Sequence, residues 1–155
     1  MSVDEHDEWL VDIWNSTVKP DDDVWHLGDF AFVRNGKTAW NVLSRLNGRK
    51  FFILGNHDNN SDFALEIWKR NDVAAIKNYD EIKIADKKVV LCHYPIACWN
   101  RQHHGSWHLH GHSHGNYNIP DGKILDVGLD SAYNIYGKHC FFDEAMIEEY
   151  MKTRS

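Results

Sequence analysis

Phe51-Phe52-Ile53-Leu54-Gly55-Asn56-His57-Asp58 runs four apolar residues straight into a turn made of an amide, an imidazole and a carboxylate. A short apolar run closed by glycine reads as a buried strand, and the polar residues behind it stand where that strand ends. Three other stretches repeat the arrangement. Val24-Trp25-His26-Leu27 leads into Gly28-Asp29, Val89-Val90-Leu91-Cys92 into His93, and Trp107-His108-Leu109-His110 into Gly111-His112-Ser113-His114. Four strand ends thus turn a mixed oxygen and nitrogen donor set toward a common sheet edge. Borderline divalent metals accept such a set.

Between these strands the spacing turns helical. Ser2 and Glu5 form a capping box, and Leu10, Ile13, Trp14 and Thr17 recur one turn apart until Pro20 and Asp21-Asp22-Asp23 stop the helix. A second helix is expected from Lys37 to Leu46, punctuated by Asn47-Gly48. A third, capped by Ser61, would carry Phe63, Leu65 and Ile67. Asp80 to Ala85 and Lys88 to His93 read as strands joined by a tight Asp86-Lys87 hairpin, Trp107 to His110 as another strand, and Asp143 to Lys152 as a closing helix. Trp9, Trp14, Trp40 and Trp68 fall at core-like helical positions, which points to packing. Alternating helices and strands followed by a hairpin-rich half give an α/β fold with two sheets face to face under flanking helices.

At 155 residues the chain is expected to be a single domain, residues 1–155. A formal charge of -6 argues against broad affinity for nucleic acid, which rests on Lys and Arg neutralising phosphates. Arg34, Lys37, Arg45, Arg49 and Lys50 are the one basic cluster worth mapping. The three cysteines cannot all pair, and the N-terminus shows no basic and apolar targeting segment, so the expected compartment is a reducing cytoplasm. No run reaches the roughly 20 apolar residues of a membrane span. The 11 histidines demand an explanation.

Gly-Asp, Gly-Asn-His-Asp, a lone His ending a strand and Gly-His-x-His, in this order and each after an apolar run, resemble the calcineurin-like metallophosphoesterases. The flanking text, including Trp99-Asn100-Arg101-Gln102-His103-His104-Gly105, is similar to the small bacterial and phage branch. The resemblance implies an α/β/β/α sandwich and a site for two metals. Asp29 would bridge both, Asn56, His93 and His112 would complete one, and His114 would bind the other. His57 would face the substrate phosphate as general acid, with Asp58 orienting its ring. The implied reaction is hydrolysis of phosphomonoesters or phosphodiesters by in-line attack of a metal-bound hydroxide. Manganese is the expected metal, with Fe, Zn, Ni or Co as alternatives. The partner would be a small phosphoester.

Other histidines and acids carry less. His108 and His110 share a strand face with His112 and His114 but are expected to make ordinary hydrogen bonds. His103 and His104 lie in a polar loop, either touching substrate or on the solvated surface. Asp126, Gly128 and Asp130 close another strand and could support the site.

The sequence departs from the family at its start, where an apolar strand ending in Asp-x-His is expected. Asp4-Glu5-His6 has the letters, but only three residues precede it and it falls inside the capped helix. The first strand thus looks missing and the domain N-terminally shortened, by truncation, by loan from another subunit or by reliance on one metal. Unpaired neighbouring strands would favour a homo-oligomer. Two rival readings are a metal-binding or interaction module with lost or weak catalysis, and a nuclease.

Overall fold

The computed structural model describes residues 2–28, 36–56, 58, 67–116, 119 and 121–155, and the side chains of residues 3, 4 and 36–39 lie outside that description. The expected Ser61 helix falls almost wholly outside it. The described chain is mixed α/β, and its backbone divides into two compact units, Met1–Lys77 and Asn78–Ser155.

The first unit opens with α1, Val3–Thr17. The capping box forms as expected: the Ser2 hydroxyl accepts from Glu5 N at 3.1 Å, which satisfies one of the donors a helix start leaves open. Asp4 and His6 therefore sit in the first turns of a helix. Strand β1 (Asp23–His26) pairs in parallel with β2 (Arg49–Ile53), which pairs in parallel with β3 (Val73–Lys77). Helix α2, Gly36–Leu43, ends three residues before the expected Leu46, and residues 44 and 45 continue it only as a turn. Trp14 is buried and its indole N–H donates to Asn47 O at 2.8 Å, so this one side chain locks α1 to the segment entering β2. Leu43, Phe52, Ile53 and Ile67 complete that core. Trp68 corrects the sequence reading. It is 64% exposed, because Ile67 takes the inward position and the next residue points to solvent.

The second unit carries the sheet order β4-β5-β6-β7. Strands β4 (Tyr79–Ile84) and β5 (Lys87–Cys92) form an antiparallel hairpin. Its turn is Ala85-Asp86, one residue earlier than expected. Ile84 pairs with Lys87, and Ala85 and Asp86 take φ of 50° and 64°, the left-handed pair that a two-residue turn needs to match strand twist. β6 (Trp107–His110) and β7 (Ile124–Asp126) add in parallel. Helix α3, Leu129–Tyr136, and α4, Glu144–Lys152, follow. Asp143 caps α4, accepting from Met146 N at 2.8 Å. Val89, Val90 and Leu91 of β5, Leu109 of β6 and Ile124 and Leu125 of β7 are buried, as are Ile147 and Met151 of α4. No helix among the described residues is long and apolar enough to cross a membrane.

Candidate functional site

All four residues of β6 are buried, so its two histidines must satisfy their nitrogens inside the protein. His108 Nδ1 lies 3.0 Å from Val90 O, and a carbonyl only accepts, so Nδ1 carries the proton. Nε2 is then free to accept from Ile96 N at 3.0 Å. One imidazole thus ties β6 to β5 and to the segment behind His93. Burial pushes its pKa down to about 4. His110 Nδ1 bonds to Gly111 O at 2.8 Å, and burial lowers its pKa as well. Both are structural histidines.

Beyond His110 the chain is fastened to the end of β5, Gly111 N donating to His93 O at 3.0 Å. That bond sets His112 beside His93. His93 Nε2 and His112 Nδ1 are 3.2 Å apart with the rings edge to face, and Tyr94 packs on His112 at 4.7 Å between ring centroids. Two nitrogens each about 2.1 Å from one cation, at tetrahedral or octahedral angles, lie about 3.0–3.4 Å apart. The 3.2 Å contact is an N–H···N hydrogen bond between the two rings, and the same spacing would suit neighbouring ligands on a single metal ion.

His112 and His114 hold φ of 66° and 50°, left-handed values that cost a residue with a Cβ on the order of 1 kcal/mol or more each. The surroundings must hold them there. Asp126, buried at the end of β7, accepts from Gly115 N at 3.0 Å through one oxygen and from Gly128 N at 2.8 Å through the other. Asn134 Nδ2 reaches Gly115 O at 3.4 Å. A Cβ on Gly115, whose φ is 75°, would stand 2.6 Å from that amide, so the clamp needs glycine. One turn earlier on α3, Asp130 Oδ2 faces His114 Nδ1 at 3.4 Å, which turns Nε2 away from the carboxylate as a ligating nitrogen requires. Its other oxygen lies 3.6 Å from His139 Nε2.

The sequence singled out Asp126, Gly128 and Asp130. It missed Asn134 and His139. Asn134 follows Asp130 by four residues, a helical spacing legible in Leu129–Tyr136, whereas His139 carries no local signal.

In the first unit, Asp58 is buried, its Oδ2 accepts from Gly55 N at 3.0 Å, and its own N–H donates to Gly55 O at 3.1 Å. The carboxylate staples the turn that presents Asn56, which is exposed. His26 Nδ1 accepts from Gly28 N at 3.3 Å as the chain leaves β1. Asp29 and His57 lie outside the described residues. Among the described residues no three His, Cys, Asp or Glu side chains form a metal-binding group. The His93–His112 pair supplies two donors with fitting chemistry and spacing.

His103 and His104 stand exposed on a single turn of 3₁₀ helix, Gln102–His104. That loop is braced by Trp99 Nε1 donating to Ser106 O at 3.1 Å and by Asn100 donating to Glu81. Hydrogen bonds from Tyr79, Lys88 and Asn100 hold the Glu81 carboxyl down to about 2. The basic cluster is mostly spoken for. Arg45 pairs with Glu8 at 2.7 Å, Arg49 with Asp23 at 3.0 Å and Lys50 with Asp72 at 2.7 Å; Arg34 and the Lys37 side chain lie outside the described residues.

No family model matches the chain. It is 31% identical over 117 residues to an uncharacterized protein of Methanocaldococcus jannaschii, covering 75% of this chain and 57% of that protein. It is 44% identical over 61 residues to the gene 66 protein of Mycobacterium phage L5, covering 36% of this chain and 28% of that protein. With the gene 66 protein of Mycobacterium phage D29 the identity is 26% across 84% of this chain and 78% of that one. The chain spans little more than half of the archaeal relative and less than a third of the L5 protein. Its fold is similar to the crystal structure of a protein of unknown function from Aquifex aeolicus, with a TM-score of 0.65 and 20% identity over 93% of this chain and 84% of that one.

Proposed function

We propose that the chain is a metal-dependent phosphoesterase of the calcineurin-like metallophosphoesterase type, its two sheets the layers of an α/β/β/α sandwich, hydrolysing small phosphomonoesters or phosphodiesters. The observation that carries the reading is the His93–His112 pair, whose nitrogens stand 3.2 Å apart at the ends of adjacent strands. The order of the four strand-end motifs supports it.

The resemblance gives Asp29, Asn56, His93 and His112 to one cation, and Asp29 with His114 to a second. A divalent cation in such a site lowers the pKa of bound water toward ~7 and neutralises phosphoryl oxygens. The chain's own part is positional. Gly111 N on His93 O fixes the first imidazole pair, and Asp126 with Asn134 holds the strained turn that aims His112 and His114. Asp130 on His114 Nδ1 keeps that ring's proton away from the ligating nitrogen. His57 donates the proton that the departing alkoxide needs, from a turn closed by Asp58.

The test is release of p-nitrophenol from bis(p-nitrophenyl) phosphate and from p-nitrophenyl phosphate. Turnover should vanish with chelator and return with Mn(II). Full turnover in excess chelator refutes the reading, and metal binding without turnover makes the chain an inert metal-binding module. Preference for DNA or RNA over both small esters would make it a nuclease.

A further inference from the structure

The second unit contains a cavity of about 190 Å³ beneath the turn that carries His112 and His114. Its lining combines the polar side chains of His110, Asp126, Ser131 and Asn134 with the hydrocarbon of Ile119, Leu125 and Tyr150. His110, Asp126 and Ser131 are buried. Dividing by the ~30 Å³ share of a liquid water, the space would hold about six waters, or one small organic molecule.

Asn134 spends one N–H on Gly115 O, and Asp126 is the one acidic side chain among the described lining residues. The Asp126 oxygens each hold one backbone N–H, and an ionised carboxylate has about four lone-pair positions, so acceptor capacity remains. His110 gives its Nδ1 proton to Gly111 O, which makes Nε2 an acceptor. The Ser131 hydroxyl has no protein hydrogen-bond partner among the described residues. No Lys or Arg is among the described residues lining the cavity. A buried carboxylate with no cation beside it among the described lining residues disfavours phosphate and other anions and favours a ligand that donates. The hydrocarbon of Ile119, Leu125 and Tyr150 in the same lining favours a flat apolar body over a hydrated ammonium.

We propose that this cavity is a binding site for a small planar nitrogen base or aryl amidine, its N–H edge on Asp126 and its ring among Ile119, Leu125 and Tyr150. The site is separate from the phosphate chemistry proposed above and does not depend on it. It is coupled to the turn through one residue, because Asp126 also holds Gly115 N. A ligand donating to Asp126 competes for the carboxylate that keeps His112 and His114 in place.

Benzamidine is the probe, with benzoate as its charge-inverted counterpart, followed by amide chemical shifts of the full chain. Benzamidine should give saturable shifts at Gly115, Asp126, Gly128 and Ser131, and benzoate none. Asp126→Asn should weaken benzamidine about tenfold or more, the scale of a hydrogen bond to a charged partner. Because that substitution also loosens the turn, Ile135→Trp serves as a second variant: Ile135 lines the cavity and is 41% exposed, so a larger ring there blocks entry without disturbing the clamp. It should abolish the shifts. Shifts caused equally by benzoate, persisting unchanged in Ile135→Trp, displaced by inorganic phosphate, or absent with benzamidine would each overturn the proposal and, in the last case, leave a water-filled cavity.

Discussion

His93 Nε2 and His112 Nδ1 come within 3.2 Å although 18 residues separate them, because Gly111 N bonds to His93 O and sets the end of β6 against the end of β5. A backbone bond of the sheet thus sets two imidazoles side by side. Under the function proposed above, such preorganisation would leave little chain entropy to lose on binding a metal.

The turn that carries His112 should depend on Asp126 more than on either histidine. Asp126→Ala leaves two part-buried N–H groups, those of Gly115 and Gly128, without their acceptor, at up to about 1–3 kcal/mol each. We expect a loss of about 2 kcal/mol or more in denaturant unfolding together with reduced metal content. An unchanged midpoint and unchanged metal content would show that the turn stands without its clamp.

His57→Ala should lower turnover far more than bound metal, since the residue is assigned to proton donation and phosphate contact. Kinetics beside elemental analysis decide it. Parallel loss of metal and activity would make His57 a ligand.

Much of this arrangement was legible in the sequence. The four apolar runs became β1, β2, β5 and β6, and Ser2 with Glu5 marked the start of α1 to the residue. What escaped was non-local. β3, Val73–Lys77, has a weak apolar pattern and is made a strand by pairing with β2. Trp68 looked like core by its spacing, yet a helical period cannot show which residue ends the buried stripe. Asp58 was expected to orient His57, which lies outside the described residues; that its carboxylate also accepts from Gly55 N was not legible in the sequence. The contact of Asn134 with Gly115 arises only once α3 has docked beside the Gly-His-x-His turn, and His139 meets Asp130 only after the chain has left α3.

Acid should destabilise the fold through His108. Burial holds its pKa at about 4, against an ordinary value near 6.5, so the unfolded chain binds the proton first. The stabilisation is fully present above pH 6.5 and is lost progressively toward pH 4, at most about 3 kcal/mol in all. His108→Gln, which keeps a hydrogen-bonding side chain and cannot titrate in that range, should flatten the pH dependence of the unfolding midpoint between those values. An identical slope in the variant would assign the dependence elsewhere.

Lys50 and Asp72 offer a contrast between breaking a buried ion pair and replacing one. The Lys50 side chain is 1% exposed, donating to Leu46 O and Asp72, while Arg70 bonds the same carboxylate. Burial alone would raise the Asp72 pKa, but hydrogen bonds from Arg70 and Lys50 carry it down to about 2. Asp72→Ala strands a buried cation and should cost about 3 kcal/mol, whereas Lys50→Met should cost clearly less. Chemical denaturation of both variants checks the order, and a larger loss for Lys50→Met would reverse the argument.

The most direct test of the central claim is Mn(II) binding to the chelator-stripped chain, measured as bound metal per chain for the unmodified protein and for His93→Ala and His112→Ala. The account predicts one tightly held metal that both substitutions remove. Tight binding that survives both would contradict it, as would a chain that binds no metal at all.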